Sequence, residues 1–256
     1  MSSSSLHGQV ALVTGGSRSI GRATALALAA RGADVVITYR TNADAAMATV
    51  RDLIALGVRA EAIVADLTGT AQLDHLVGEF RRVLAAWGRD TFDILVNNAG
   101  ILRLVPFDRA TEDDLDANFL TNYKSVFFLV QRLAPHLRDG GRIVNLGSGT
   151  ARIAFQPLVT YGPLKAAVQS LTVYLAAFFG PRRITVNAVA PGGLDGDFNA
   201  PLFAVMPQAK DFIAQHTALG RIGVPGDVAS VIAFLCSPEA GFISGAVLNV
   251  DGGYHL

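Results

Sequence analysis

The sequence predicts an α/β protein in which a seven-stranded parallel sheet carries helices on both faces, a doubly wound arrangement. Two patterns carry that prediction. Short β-branched apolar runs recur from one end of the chain to the other, and longer segments with helical spacing separate them. A strand buried on both faces reads as a continuous apolar run, and its parallel neighbour is reached through a crossover, usually a helix. Composition agrees, because 51% of the 256 residues are hydrophobic and 16% are charged, which is enough apolar material for a large core.

Val10-Ala11-Leu12-Val13 opens the series, followed by a helix with Ile20, Ala23, Ala27 and Ala30 on one face. Residues 35–38 form the next apolar run, then come a helical stretch over 43–56 and the run Ala62-Ile63-Val64. Segment 70–87 places Leu73, Leu76, Val77, Phe80, Val83, Leu84 and Trp87 on one stripe, the mark of an amphipathic helix. The remaining strand candidates are 94–96, 143–146, 184–186 and 247–250. No linker, repeat or low-complexity tract divides the chain, so one domain over 1–256 is expected, with a disordered tip at 1–7. The exception to the alternation is 193–218, rich in Gly, Pro and Phe. It carries Phe198, Leu202, Phe203, Val205, Met206, Phe212 and Ile213, and a loop so apolar is predicted to lie as a lid over a pocket.

Several function classes are disfavoured at this level. Net charge is +0 with no dense Lys/Arg cluster, so neither nucleic acid nor an acidic membrane has electrostatic support as a partner. No apolar stretch is long enough to span a bilayer, and Met1-Ser2-Ser3-Ser4-Ser5 lacks the basic start and apolar core of a secretory signal. The single cysteine, Cys236, sits in an apolar run, which suits a buried inert thiol and a reducing, cytoplasmic compartment. His7, His75, His136, His216 and His255 are scattered without metal-ligand spacing, so no metal is expected.

TGGSRSIG, residues 14–21, follows the first strand and opens the first helix. In an open parallel sheet, ligands bind outside the carboxyl ends of the strands, where strand order reverses. Gly15 permits a tight turn and Gly21 permits close helix packing. The loop's Ser17, Arg18, Ser19 and Ile20 lead into a helix N-terminus whose free N–H groups and partial positive charge suit a pyrophosphate.

With this loop the chain, from about residue 8 to the C-terminus, resembles the short-chain dehydrogenase/reductase family, and a Rossmann-type fold is implied. The family's TGxxxGxG is matched at Thr14, Gly15 and Gly21 and missed at Ser19. If the backbone at Ser19 needs a positive φ, serine there costs on the order of 1 kcal/mol. Asp66-Leu67 resembles the family's adenine-contacting pair, and Asn97-Asn98-Ala99-Gly100 its NNAG motif, with Asn98, Ala99 and Gly100 close to the cofactor. An acid at the end of the second strand would hold the ribose of NAD. Here that position reads Tyr39-Arg40-Thr41, with Arg18 near, so NADP(H) is favoured over NAD(H).

Hydride transfer to a carbonyl leaves an alkoxide that needs a proton donor close by. A tyrosine is too weak an acid at neutral pH unless a neighbouring cation favours its phenolate. Tyr161 and Lys165 stand four residues apart, on one face if helical. Ser148 lies where the family's catalytic serine does, and Asn122 in the place of its helix asparagine. By resemblance Tyr161 is the general acid/base, Lys165 lowers its pKa and binds the nicotinamide ribose, Ser148 orients the substrate oxygen, and Asn122 holds a water linking Lys165 to solvent. Two departures stand out. Pro163 is harmless only if its helix starts at Thr160 or later. In Pro191-Gly192-Gly193-Leu194-Asp195-Gly196, which resembles the family's PG motif, Gly196 replaces the usual threonine, whose hydroxyl helps fix the carboxamide.

The resemblance implies reduction of a ketone to a secondary alcohol, the hydride coming from the nicotinamide and the proton from Tyr161. Pocket walls are expected from Leu102, Phe155, Leu158, Val159 and the lid, which suits a small hydrophobic or aromatic carbonyl; Arg103 and Arg152 are candidates for an anionic end. A 3-oxoacyl-carrier-protein reductase, a sugar or polyol dehydrogenase, and a nucleotide-binding sensor that has lost turnover are the alternatives. A homotetramer is implied by analogy, the C-terminal Val250-Asp251-Gly252-Gly253-Tyr254 matching the family's terminal strand.

Overall fold

Seven parallel strands form one sheet in a computed structural model that describes residues 6–255. In chain order they are β1 (Val10–Val13), β2 (Asp34–Tyr39), β3 (Ala60–Val64), β4 (Phe92–Asn97), β5 (Leu137–Leu146), β6 (Thr185–Pro191) and β7 (Val247–Val250). The spatial order is β3-β2-β1-β4-β5-β6-β7, so the winding reverses between β1 and β4 and opens a crevice above their carboxyl ends. The helices are α1 (Ser19–Ala29), α2 (Ala43–Ala55), α3 (Thr70–Ala86), α4 (Glu112–Phe119), α5 (Ser125–Leu133), α6 (Gly162–Phe179), α7 (Ala200–Val205), α8 (Ala209–Gln215) and α9 (Pro225–Leu235). A π-helical turn, Leu120–Lys124, joins α4 to α5.

Each strand feeds two cores, because successive side chains point to opposite faces. Ala11 and Val13 of β1 pack with Leu28, Leu53 and Ile232 on one side, while Val10 and Leu12 pack with Leu76, Phe80 and Leu133 on the other. Burying each of these large side chains contributes roughly 1.5–3 kcal/mol. Phe80 meets Phe92 edge to face with centroids 5.1 Å apart, tying α3 to the base of β4.

The structure corrects the sequence reading at several points. Met1–Ser5 of the expected disordered tip lie outside the described residues, but Leu6 is fully buried and its N–H donates to the Arg31 carbonyl at 3.1 Å. Not every strand is buried on both faces: β3 and β7 are edges, half exposed along their length. β5 begins at Leu137, six residues before its apolar run, and reaches β4 through a register shift between Phe92 and Ile94. The irregular 193–218 stretch contains two short helices, α7 and α8. Among the described residues no helix is long and apolar enough to cross a membrane.

Candidate active site

A cavity of about 840 Å³ opens along the carboxyl ends of the central strands, from the glycine loop to the turn before α6 and out to α7 and α8. Its inner wall is made by backbones that approach closely. Gly15 has φ +65°, and its N–H donates to the Thr38 hydroxyl at 3.0 Å. A Cβ added at Gly16 would lie 2.5 Å from the Ile37 side chain, and one at Gly21 would lie 2.2 Å from the Gly15 carbonyl oxygen. The N-terminus of α1 carries no side-chain cap and no acid in its first turn, so its N–H groups face the cavity unopposed. Asn98 braces this wall: its Nδ2 donates to the Thr14 and Gly15 carbonyls at 2.8 and 3.1 Å, while Thr14 Oγ1 accepts from the Asn98 and Ala99 N–H groups at 3.0 Å.

All the residues expected at the nucleotide end line the cavity: Gly15, Ser17, Arg18, Ser19, Ile20, Gly21, Tyr39, Arg40, Thr41, Asp66, Leu67, Asn98, Ala99, Gly100, Pro191 and Gly192. Arg18 and Arg40 are exposed at its mouth, where β2 ends. Ser19 has φ +48°, the left-handed conformation that makes a non-glycine residue costly. Its partner in departure is directly opposite, because a Cβ on Gly196 would lie 2.9 Å from Ser19 Oγ. The side chain gained at 19 thus points into the space left at 196. A glycine-walled cradle, an uncapped helix end and two cations at its rim fit a dinucleotide phosphate.

The chemical end is assembled by α6. Tyr161 caps this helix, so Pro163 falls in its first turn, where the missing N–H has no partner to lose. The distortion feared from Pro163 is absent. Gly162 permits the approach of the 149–151 turn, since a Cβ there would sit 2.8 Å from the Thr150 carbonyl oxygen. Lys165 is buried with its Nζ donating to the Leu146 carbonyl at 2.8 Å, and Ser148 Oγ shares a hydrogen bond of 2.8 Å with Thr150 Oγ1. Gln169 Nε2 donates to the Ser148 carbonyl at 2.9 Å.

Burial sets the protonation here. It pulls the Lys165 ammonium down to about 8 and raises the Tyr161 phenol above its ordinary value, with the Ser148 hydroxyl acting in the opposite direction. The expectation that Lys165 lowers Tyr161 is not what this geometry gives. The ammonium is spent on Leu146 and stands 5.6 Å from the centre of the tyrosine ring, so desolvation of the phenol dominates.

Asn122 lies at the π-helical turn, where its Oδ1 accepts from the Ile101 N–H at 3.1 Å and its Nδ2 donates to Ile101 O and Asn118 Oδ1 at 3.1 and 2.8 Å. Gly100 makes room for it: a Cβ there would be 2.7 Å from Asn122 Oδ1 and 3.8 Å from Lys165 Nζ. Asn122 and Lys165 are therefore neighbours.

Of the expected substrate wall, Leu102, Phe155, Leu158, Phe198, Leu202, Met206, Phe212 and Ile213 line the cavity; Val159, Phe203 and Val205 do not. Val205 is 69% exposed. Arg103 and Arg152 are also outside, engaged with Asp113 and Asp114 at 2.7 and 2.9 Å and with Asp251 at 3.4 Å. Sequence reasoning missed Ile153, Ala154, Tyr254 and His255, which join the wall. The chain's end reaches it by pairing: Thr217 bridges Tyr254, and the His216 and His255 rings lie 5.0 Å apart. Cys236 is buried, its thiol pushed up to about 12 by desolvation.

Comparison with known proteins agrees with this geometry. The family model described as enoyl-(acyl carrier protein) reductase matches residues 15–255. A hydroxynaphthalene reductase-like protein of Metarhizium brunneum is 38% identical over 260 residues, covering 97% of this chain and 96% of that protein. Among solved structures, the promiscuous reductase LugOII, which catalyses keto-reduction at C1 during lugdunomycin biosynthesis, superposes with a TM-score of 0.93 at 39% identity, covering 98% of this chain and 100% of that one. The landomycin C-6 ketoreductase LanV, solved with bound NADP and rabelomycin, gives 0.90 at 38% identity, covering 98% of each. The chain belongs to the short-chain dehydrogenase/reductase family. Within that family it is an oxidoreductase of the ketone-reducing kind.

Proposed function

We propose that this enzyme reduces a hydrophobic, aromatic ketone of polyketide type to the secondary alcohol, with NADP(H) favoured over NAD(H). The observation that carries the reading is the convergence of Ser148, Tyr161 and Lys165 on one cavity whose far end is the glycine cradle and whose outer wall is apolar. LugOII and LanV are similar proteins named for keto-reduction, and LanV was solved with bound NADP and rabelomycin.

The glycine loop, the α1 N-terminus, Asp66, Leu67 and Asn98 to Gly100 would hold the dinucleotide, with Arg18 and Arg40 on the 2′-phosphate. Each charge-assisted pair is worth about 1.5–3 kcal/mol, a factor of ten or more in cofactor preference. When bound, the dinucleotide supplies the hydride. Ser148 releases Thr150 to donate to the substrate oxygen, Tyr161 gives its proton to that oxygen as the C–H bond forms, and Lys165 with Asn122 replaces the proton from solvent. Residues 193–218 act as the lid, with Phe198 beside the tyrosine at 6.2 Å between ring centres.

A single domain, a cytoplasmic setting and a homotetramer complete the proposal. Two outward apolar faces support assembly: Leu115, Phe119 and Phe127 along α4 and α5, and Val173, Tyr174 and Phe178 along α6. Light scattering after gel filtration reads the state directly.

The test is the initial rate of cofactor oxidation with aryl, alkyl, sugar and β-ketoester carbonyls, NADPH against NADH. Polycyclic aryl ketones with NADPH ahead by tenfold are the expected result. Equal or NADH-led rates would remove Arg18 and Arg40 from the phosphate, and a preference for sugars or acyl thioesters would replace the substrate class.

A further inference from the structure

Asn118 has no part in the reading above. Its side chain is fully buried, one turn before Asn122 and next to the π-helical turn. Its Nδ2 donates to Thr160 Oγ1 at 3.0 Å and to the Asp114 carbonyl at 3.1 Å, and its Oδ1 accepts from Asn122 Nδ2 at 2.8 Å. All three hydrogen-bonding positions of this amide that the geometry offers are thus used, in a place where water has no access. Thr160, 5% exposed, is the residue before Tyr161. Asn122, at the other end, borders Lys165 across Gly100.

The hydrogen-bonded chain Asn122–Asn118–Thr160 therefore ties the π-helical turn to Thr160, just before α6. Thr160 precedes the tyrosine and is bonded by Asn118 of α4; Lys165 follows it by one helical turn and lies beside Asn122 of the π-helical turn across Gly100. The tyrosine itself sits at a helix end, where the backbone is held only by the Leu158 carbonyl before it (to Tyr161 N at 3.0 Å and Gly162 N at 2.8 Å) and the Lys165 N–H after it (3.0 Å). Helix ends fray, and proton transfer needs the donor fixed to within a fraction of an ångström.

We infer that Asn118 is a positioning residue: with Thr160 it fixes where the Tyr161 hydroxyl sits relative to Ser148 and Lys165. This rests on the proposed role of Tyr161 and adds to it a connection that runs through the protein interior. The amide does not touch substrate or cofactor; Asn118 lies outside the cavity wall. Its removal should accordingly leave dinucleotide binding alone and slow the proton-transfer step.

The experiment is a double-mutant cycle on Asn118→Leu and Thr160→Val, with Thr160→Ser as the conservative partner, read in kcat, in KM for NADPH and in melting temperature. Each single variant is expected to lower kcat about tenfold, about 1.4 kcal/mol, with KM for NADPH within about twofold. The double variant should lose no more than Asn118→Leu alone, since the bond that Thr160→Val cuts is among those Asn118→Leu already removes. Thr160→Ser, which keeps the hydroxyl, should restore kcat. Losses that multiply, a loss confined to KM for NADPH, or a serine variant as slow as the valine would each overturn the inference. A lowered melting temperature with unchanged kcat would leave only a structural bond and would overturn it too. A second readout needs no turnover: the fluorine resonance of Tyr161 in 3-fluorotyrosine-labelled protein, assigned with Tyr161→Phe. It should move in Thr160→Val and return in Thr160→Ser. A resonance that stays put refutes the positioning role, whereas a wild type that reduces no ketone while the resonance moves refutes only the reading of the reaction.

Discussion

The two ends of the cavity are built by different means. At the nucleotide end the wall is backbone: glycines pressed against strand ends, a helix terminus, and Asn98 clamping the loop through main-chain oxygens. At the substrate end the wall is side chains, drawn from the turn at 153–158, from α7 and α8, and from the chain's own C-terminal residues. Backbone walls recognise what every substrate shares, the dinucleotide. Side-chain walls can change without disturbing the sheet, and it is there that a ketone is chosen.

This contrast can be broken in four ways. The largest effect belongs to Tyr161→Phe, which should cut kcat by about 10²–10⁴-fold, the range for general acid catalysis, and leave NADPH affinity by fluorescence titration within twofold. A comparable loss of NADPH binding would mean the two ends are not separable.

Gly21→Ala tests the other end. Its Cβ would lie 2.2 Å from the Gly15 carbonyl oxygen, which Asn98 Nδ2 also holds, and overpacking of this kind costs about 1–3 kcal/mol or more. Calorimetric titration should show at least tenfold weaker NADPH binding. Unaltered binding would remove the close approach from the account of the cradle.

Lys165 belongs to both ends and carries a pH signature. Between about pH 8, where burial places its ammonium, and the ordinary lysine value, the unfolded chain still holds a proton that the folded chain has released. Stability of the ligand-free protein should therefore rise with pH through that window, by at most about 3 kcal/mol. Urea midpoints from pH 7 to 10 should show the rise in wild type and a flatter curve in Lys165→Met. Parallel curves would mean the lysine is not desolvated as the geometry requires.

Phe198→Ala should have the smallest effect and the most selective. Losing one ring beside Tyr161 should raise KM for an aryl ketone by up to about tenfold, from the roughly 0.5–1.5 kcal/mol of an aromatic contact. KM for NADPH should not move. Equal changes in both would make Phe198 part of a closure that senses the cofactor.

The same contrast explains what could be read in advance. Backbone walls have short-range signatures: a glycine where a Cβ would collide, an apolar run where a strand is buried, a lysine one helical turn after a tyrosine. All the residues expected at the nucleotide end line the cavity, and the strand at 10–13 has its predicted bounds. What escaped was set by tertiary contact. The polar start of β5 at Arg138-Asp139-Gly140 has no strand pattern and is held by its pairing at Leu137. A π-helical turn has no sequence mark, and the Asn118–Thr160 bond joins residues that local spacing cannot relate. The lid residues were identified as a group, but which of them face inward depends on how α7 and α8 are turned, and Val205 and Phe203 point away.

Ser19 and Gly196 lie on opposite banks of the cavity, 177 positions apart in sequence by their numbers, and share one vacancy between them. That makes them a unit of inheritance when this chain is recombined with a relative that carries glycine at position 19 and threonine at position 196. A chimaera that takes the glycine loop from one parent and the 191–218 segment from another would bring together either two side chains or none, crowding the gap or leaving it open. Crossover points between residues 21 and 191 will therefore separate a matched pair, and libraries that shuffle substrate lids onto this scaffold should carry position 19 along with position 196.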